Sequence, residues 1–551
     1  MNKKIRAISL MLVACMLFSV AGCKIRIHSK ETTETTTTTE ATTTEATTEA
    51  TTTAESSAAT EPSETTSSES SGFPEKGCKI EFPSGDRYLY KMYLTLDDKK
   101  NTIGGHVDAT FFNDSSDDWD KLCLRDYSSL FLKPEDAGYD GGVKTNGALT
   151  EINNIQDSRT GNTIEYERDK DVSVVWLPLE KKLAPGEKMT LSYDFVAQIP
   201  TVADRYGVQD GVFCITNFYP ILAEYTSEGW SHIGFYACGE CFYSEIADFD
   251  VMLTVPSDMV VLSTGVETSE AKEGDTKTIG IYAECVRDFV FCGSKNFKLV
   301  EGDYKDTHVR TAYFEEEKPE YDKMEAEIAL KAAIDSLEAF GSAFGEYPYK
   351  DLEVIIAPIS AGGMEYPNLV IISKAFVGTG DSDESRKEIY QLSADNVVSH
   401  EVGHQWFMGI VGSNSGLQPW LDESFASFTE YIYELAVYPD KAHQLPVTFD
   451  DGYYTRNVPI NKSYFDYDDN MSYISSVYWR GKQILVNMYE LLGEEQFNGI
   501  IREYVHEFAF KNADQMDFFN LLYKYAGTDN EKLNDIIYEN FDDTVQPPKA
   551  A

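Results

Sequence analysis

The chain has 551 residues, 42% of them apolar and 13% aromatic, which is enough to fill two or three packed domains. Acidic residues outnumber basic ones 92 to 47, for a formal charge of −45. That balance argues against nucleic acid or an anionic membrane surface as the main partner, since both require a cationic footprint.

The first residues read as an export address. Lys3, Lys4 and Arg6 precede an apolar stretch from Ala7 to Gly22 that is too short to span a bilayer and ends in small residues. The terminal Val20-Ala21-Gly22-Cys23 resembles a bacterial lipoprotein signal, with residues 1–22 removed and Cys23 left to carry lipid. Such an anchor holds a protein at the cell membrane, facing outside the cytoplasm, without spanning it. Residues 23–77 then form a tether. Between Glu31 and Ser71 lie eighteen Thr and nine Glu, with no Lys, Arg, aromatic or large aliphatic residue. Such a segment buries no apolar area to offset its ordering entropy and is expected to be disordered.

Residues 78–300 show mostly a period of two. Tyr88, Tyr90, Met92, Leu94 and Leu96 alternate, and β-rich runs follow at Val172–Leu179, Met189–Ile199, Asp250–Pro256, Thr278–Cys285 and Asp288–Cys292. Short strands at this spacing predict an antiparallel β sandwich or saddle-like sheet, in which no site chemistry is legible. Seven cysteines follow Cys23, an odd number, so a monomer leaves at least one unpaired. Cys238-Gly-Glu-Cys241 is half of a zinc-ribbon pattern without a second half, which favours a local disulfide or free thiols over structural zinc.

Residues 301–551 change period. A helix is expected from Met324 to Phe344, then strands at Leu352–Ile356 and Asn368–Ser373. The rest reads mostly as helices: Glu384–Ile410, Leu421–Val437, Arg480–Leu492, Glu495–Phe508, Asp514–Ala526 and Glu531–Glu539. Strands followed by helices in one unit give an α+β domain.

His400-Glu401-Val402-Gly403-His404 sits in this half. On a helix, residues four apart share a face, so both imidazoles can reach one ion, while Glu401 is rotated about 100° away and stands beside the ion's open position. Gln405 to Met408 should continue that helix. Trp420-Leu421-Asp422-Glu423 supplies a third donor, Glu423, on a following helix. Two imidazoles and a carboxylate with one vacant position make a catalytic zinc site, one ion per chain.

The run Val398 to Phe407 with Trp-Leu-Asp-Glu423, eighteen residues intervening between His404 and Glu423, resembles the zinc aminopeptidases of the alanyl-aminopeptidase and leukotriene-hydrolase group. The resemblance covers roughly Tyr88 to Tyr538 and implies a β saddle domain followed by a thermolysin-like catalytic domain. It also implies His400, His404 and Glu423 as zinc ligands, Glu401 as general base, and peptides with a free N-terminus as substrates. Gly362-Gly363-Met364-Glu365-Tyr366 resembles the family's substrate-recognition motif G-x-M-E-N. Glu365 would pair with the peptide's α-ammonium, and Tyr366-Pro367 departs from the usual Asn. Val477-Tyr478-Trp479-Arg480-Gly481 resembles the Y-x-K-G segment whose tyrosine donates to the oxyanion, with Arg480 in place of Lys and Tyr473 as a competitor. Two rival readings are an endopeptidase on the same scaffold and a non-catalytic peptide-binding lipoprotein. His28, His106, His232, His308, His443 and His506 have no spaced partner and are expected to be structural or exposed.

Overall fold

A computed structural model of the chain describes residues 73–547, apart from residues 133–148, 235, 237–238, 241, 317–318, 377–382 and 441–457. The leader, Cys23, most of the tether, Cys238, Cys241, His28 and His443 lie outside the described residues.

The alternating run becomes strand β1 (Tyr88–Asp97), whose Tyr88, Tyr90, Met92, Leu94 and Leu96 are all buried. It lies in a seven-stranded sheet with β2 (Thr102–Phe112), β3 (Glu151–Asp157), β4 (Lys188–Gln198), β5 (Ala247–Pro256), β6 (Val266–Glu273) and β7 (Thr276–Val286), in the spatial order β6-β7-β5-β1-β2-β4-β3. Neighbours run antiparallel except β1 and β5, which pair in parallel with Tyr88 opposite Ala247. A parallel pair requires a long crossover, and the chain between β1 and β5 supplies it.

A four-stranded sheet of Val260–Ser263, Phe291–Ser294, Val212–Ile215 and Gly207–Gln209 follows in space. The run expected as a strand from Asp288 enters the sheet only at Phe291. The Asp288 carboxylate accepts hydrogen bonds from Phe289 N at 2.8 Å, Tyr219 Oη at 2.6 Å and Asn217 Nδ2 at 2.9 Å. Those bonds fix a corner there.

The second half is built on a five-stranded sheet of β8 (Phe297–Tyr304), β9 (Thr307–Phe314), β10 (Asp351–Ala357), β11 (Gly363–Tyr366) and β12 (Leu369–Ser373), ordered β8-β9-β10-β12-β11. β9, β10 and β12 are parallel, and β11 returns antiparallel along β12 as the edge strand. Nearly every residue of β10 and β12 is buried, as expected of strands covered on both faces. Helix α1 (Pro319–Phe344) packs on β8, β9 and β10. An apolar cluster joining Val212, Cys214, Leu262 and Cys292 to Ile355, Met364, Tyr366 and Ile371 ties this sheet to the smaller one.

The predicted helices form as α2 (Asp383–Gly403), α3 (Trp420–Val437), α4 (Gly481–Leu492), α5 (Glu494–Phe508), α6 (Gln515–Ala526) and α7 (Glu531–Asn540). Asp514 and Asp517 close a capping box on α6, and the Asn530 side chain caps α7. A short helical turn, Asn470–Ile474, runs into a π-helical turn, Ser475–Arg480, before α4.

One expectation fails. α2 ends at Gly403, and Gln405 to Met408 do not continue it. Two side chains there are drawn in different directions, and the backbone turns at Met408. Gln405 receives Asn368 N at 2.9 Å and donates to Tyr366 O at 3.1 Å, Trp406 Nε1 donates to Gly345 O at 3.0 Å, and Met408 takes a φ of 106°. His404 N still reaches His400 O at 3.3 Å, so the four-residue relationship survives the helix end.

The two halves share a buried arginine. Arg287, at the end of β7, donates to Ser244 O at 2.9 Å in the first half, and to Gly409 O at 3.1 Å and Lys511 O at 2.9 Å in the second.

Candidate metal and peptide site

Helices α2 and α3 carry the three expected donors and approach closely. Gly403 faces Thr429, and a methyl group at Gly403 would overlap Thr429 Oγ1. Only glycine allows that crossing distance. Across it, the Nε2 atoms of His400 and His404 stand 3.2 Å apart, with Glu423 Oε2 at 3.3 Å from the first and 3.5 Å from the second.

Three donors held about 2.0–2.1 Å from one tetrahedral ion are separated from each other by about 3.3 Å, so this triangle has the size a zinc ion needs. Glu423 Oε2 is buried and has no hydrogen-bond partner, which leaves it aimed at the centre of the triangle. The donor set and the orphaned oxygen fit zinc.

The far side of each imidazole is held by an acid that the sequence reading did not single out. His400 Nδ1 lies 2.9 Å from Glu430 Oε1, and Glu430 Oε2 in turn accepts from Lys482 Nζ at 2.9 Å. His404 Nδ1 hydrogen-bonds the Phe407 carbonyl at 3.2 Å and lies 2.8 Å from Asp422 Oδ1, and Asp422 Oδ2 accepts from Ser415 Oγ at 2.8 Å. Carboxylates in these positions fix the tautomer that leaves Nε2 free for a metal. A signal for both was present. Asp422 directly precedes Glu423, and Glu430 lies two helical turns after it on the same face of α3.

The electrostatics follow from this packing. Burial opposes charge on His400, but the Glu423 and Glu430 carboxylates prevail and push it up to about 10. Burial opposes charge on Glu423, but the two histidines beside it pull it well below the usual carboxylate range. Burial pushes Glu401 up to about 8, with the charge of His400 opposing it. Burial likewise raises Glu365. Donor oxygens of Glu365 and Glu401 lie within 4.8 Å of each other and of a His404 nitrogen. Buried acids gathered at this density call for cationic partners.

Edge strand β11 brings the residues expected to recognise a peptide to the same place. A methyl group at Gly363 would overlap the Glu401 carboxylate, so the backbone of β11 lies directly against that side chain. Gly362 O accepts from Ser373 N at 2.9 Å and closes the strand's start. Met364 points into the apolar cluster, and Glu365 is buried toward the metal donors. Tyr366 is bonded rather than idle. Its hydroxyl lies 2.8 Å from both Thr216 Oγ1 and Asn217 Oδ1 of the first half. The first half also brings Glu240 close to Glu365, in an ion pair with Arg205 at 3.1 Å. The β-rich half thus contributes to the site although its sequence showed no chemistry.

Tyr478 sits on the π-helical turn with its ring stacked on His400, centroids 5.8 Å apart and planes at 14°. Tyr473 stands edge-on behind Tyr478 at 6.1 Å, and its hydroxyl is packed against Gly239. Of the two tyrosines, Tyr478 is the one whose ring lies against a metal donor.

Among the remaining histidines, His106 contacts Asp194 at 2.8 Å, His308 contacts Asp303 at 2.8 Å, His232 contacts Trp230 O at 2.8 Å and His506 contacts Cys78 Sγ at 2.8 Å.

Residues 328–541 match the peptidase family M1 domain. Aminopeptidase M1-B of Oryza sativa subsp. japonica is 26% identical over 294 residues, 51% of this chain and 33% of the relative. Aminopeptidase N of Lactobacillus delbrueckii subsp. lactis is 30% identical over 212 residues, 36% of this chain and 25% of the relative. The matched segments therefore span about a third or less of these relatives. The fold resembles a two-domain M1 zinc metallopeptidase bound to L-arginine, with a TM-score of 0.54 at 17% identity over 86% of this chain and 99% of the other. It also resembles the M1 zinc metallopeptidase of Deinococcus radiodurans, with a TM-score of 0.53 at 16% identity over 84% of this chain and 96% of the other.

Proposed function

We infer, for a chain whose residues 328–541 belong to peptidase family M1, that it is a zinc aminopeptidase removing residues from the free N-terminus of peptides. His400, His404 and Glu423 hold the ion. Zinc in such a site supplies Lewis acidity toward the scissile carbonyl and lowers the pKa of water to ~7.

The protein's own groups do the rest. Glu401, buried and beside β11, takes the proton of the attacking water and delivers it to the leaving amine. Tyr478 donates its hydroxyl to the developing oxyanion. The Gly362–Gly363 backbone of the edge strand receives the substrate as an added strand. Glu365 receives the α-ammonium, which stops cleavage one residue in.

The observation that carries this reading is the adjacency of Glu365, Glu401 and His404, whose donor atoms lie within 4.8 Å of one another. That spacing suits a proton-transfer group and an N-terminus receptor one residue apart on a bound peptide. The experiment compares hydrolysis of a peptide with that of its N-acetylated twin. Loss of cleavage on acetylation supports the aminopeptidase; indifference to acetylation overturns it in favour of an endopeptidase.

The same proposal includes its location. Lys3 to Cys23 has the pattern of a lipoprotein leader, and the Thr- and Glu-rich segment after it suits a stalk. We place the catalytic unit outside the cytoplasm on a lipid-anchored tether. Globomycin sensitivity of processing, or mass analysis of the mature N-terminus, checks this; an unmodified mature N-terminus at another residue would exclude it.

A further inference from the structure

Among the described cysteines, two stand directly opposite one another. Cys214 on the strand Val212–Ile215 pairs with Cys292 on the strand Phe291–Ser294, in an antiparallel register flanked by Ile215 opposite Phe291 and Phe213 opposite Gly293. Directly opposed residues project to the same face, and their Cα atoms lie about 4.5 or 5.5 Å apart depending on the pair type. Both spacings fall inside the range of about 4.4–6.8 Å that a disulfide spans. Both side chains are buried, and both belong to the apolar cluster that includes Met364 and Tyr366 of the edge strand.

The position has structural consequences. Two and three residues beyond Cys214 are Thr216 and Asn217, the partners of the Tyr366 hydroxyl. Asn217 also donates to Asp288 at 2.9 Å, just before the strand that carries Cys292. Thr264, following the neighbouring strand Val260–Ser263, donates to Pro367 O at 2.8 Å. The small sheet is therefore the bed on which Gly363–Tyr366 rests, and its two central strands meet at the cysteine pair.

We propose that Cys214 and Cys292 close an intrachain disulfide that staples this bed beneath the substrate-binding edge strand. Two thiols lose two protons and two electrons as the S–S bond forms. A small-molecule disulfide accepts them by exchange and leaves as two thiols. Burial and the neighbouring Cys214 thiol both raise Cys292 well above an ordinary thiol, so little thiolate forms once the sheet has closed. The exchange therefore belongs to the folding chain, before the strands are covered. An exported chain folds where such oxidants persist. The bond would close a long loop, the kind from which a crosslink removes most chain entropy.

The test is chemical and does not read peptide hydrolysis, so its failure and failure of the peptidase reading are separable. The full chain is refolded in a buffer of oxidised and reduced glutathione, unfolded in the presence of an alkylating agent, and digested without reductant. The expected result is a linked peptide pair containing Cys214 and Cys292, lighter by two hydrogens than the free peptides. Its reduction should lower the melting temperature by several degrees. Recovery of both cysteines in alkylated form, or their linkage to other cysteines, overturns the proposal. A second measurement uses Cys214→Ala/Cys292→Ala, whose melting temperature should fall on reduction by several degrees less than that of the wild type. A fall as large as that of the wild type would also overturn the proposal.

Discussion

The backbone of Gly363 and the carboxylate of Glu401 share a contact with no room for a methyl group between them. Gly363→Ala should therefore push the edge strand and the proton-transfer group apart while leaving the metal donors in place. A misplacement of about 1 Å can cost ~10²-fold in rate. The expected outcome is a kcat reduced by about that factor with unchanged zinc content, read by steady-state kinetics and elemental analysis. Unaltered kcat would show that the contact is not used.

Tyr478 lies flat against His400, and its hydroxyl is assigned to the oxyanion. Tyr478→Phe keeps the ring and its stacking but removes the donor. Loss of one such donor costs ~10²–10³-fold in kcat, and KM should change little. Tyr473→Phe should leave kcat near the wild-type value, and the reverse pattern would exchange the two roles.

Asp422 and Glu430 orient the two imidazoles through their Nδ1 atoms. Asp422→Asn or Glu430→Gln should weaken zinc retention by ~10–100-fold. Competition against a chelator measures this directly and independently of turnover. Equal affinity in the wild type and both variants would remove these acids from the metal site.

The Tyr366 hydroxyl is buried between Thr216 and Asn217. Tyr366→Phe leaves Asn217 Oδ1 without this partner, while Thr216 keeps its bond to Arg205 O, at a cost of about 1–3 kcal/mol in stability. Denaturant unfolding should record that loss. A variant as stable as the wild type would mean that other groups satisfy Asn217.

Burial raises Asp288 from its ordinary value to about 7. Between about pH 4 and 7 the folded chain then holds a proton at Asp288 that the unfolded chain has released, so this residue's contribution to stability falls as pH rises through that window. Asp288→Asn removes the titration. The wild-type minus variant difference in unfolding free energy should decline from pH 4.5 to 7.5 and level off above. A flat difference would refute the shift.

Much of this site could be read in the sequence because its chemistry is local. His400 and His404 are one helical turn apart, so periodicity sets them on one face, and the family resemblance of the Trp420–Glu423 segment supplied the third donor. The strands of the first half were legible for a similar reason, since β1 alternates buried and exposed residues along its length. What stayed hidden depends on contacts between distant segments. Nothing near Gly403 announced that Gln405 and Trp406 would leave the helix to meet Tyr366, Asn368 and Gly345. The reach of Arg205 and Glu240 toward Glu365 likewise joins segments far apart in the chain. Asp422 and Glu430 were within reach of sequence reasoning, since both lie on the helix that carries Glu423.

Arg287 gives the molecule a mechanical property that neither half has alone. Its guanidinium is buried and donates to the carbonyls of Ser244, Gly409 and Lys511 and to Asn512 Oδ1, so parting the halves would break hydrogen bonds made to both of them. The β-rich part is thus no detachable accessory: a truncated catalytic fragment should be insoluble, and the intact protein should lose both parts in a single calorimetric peak.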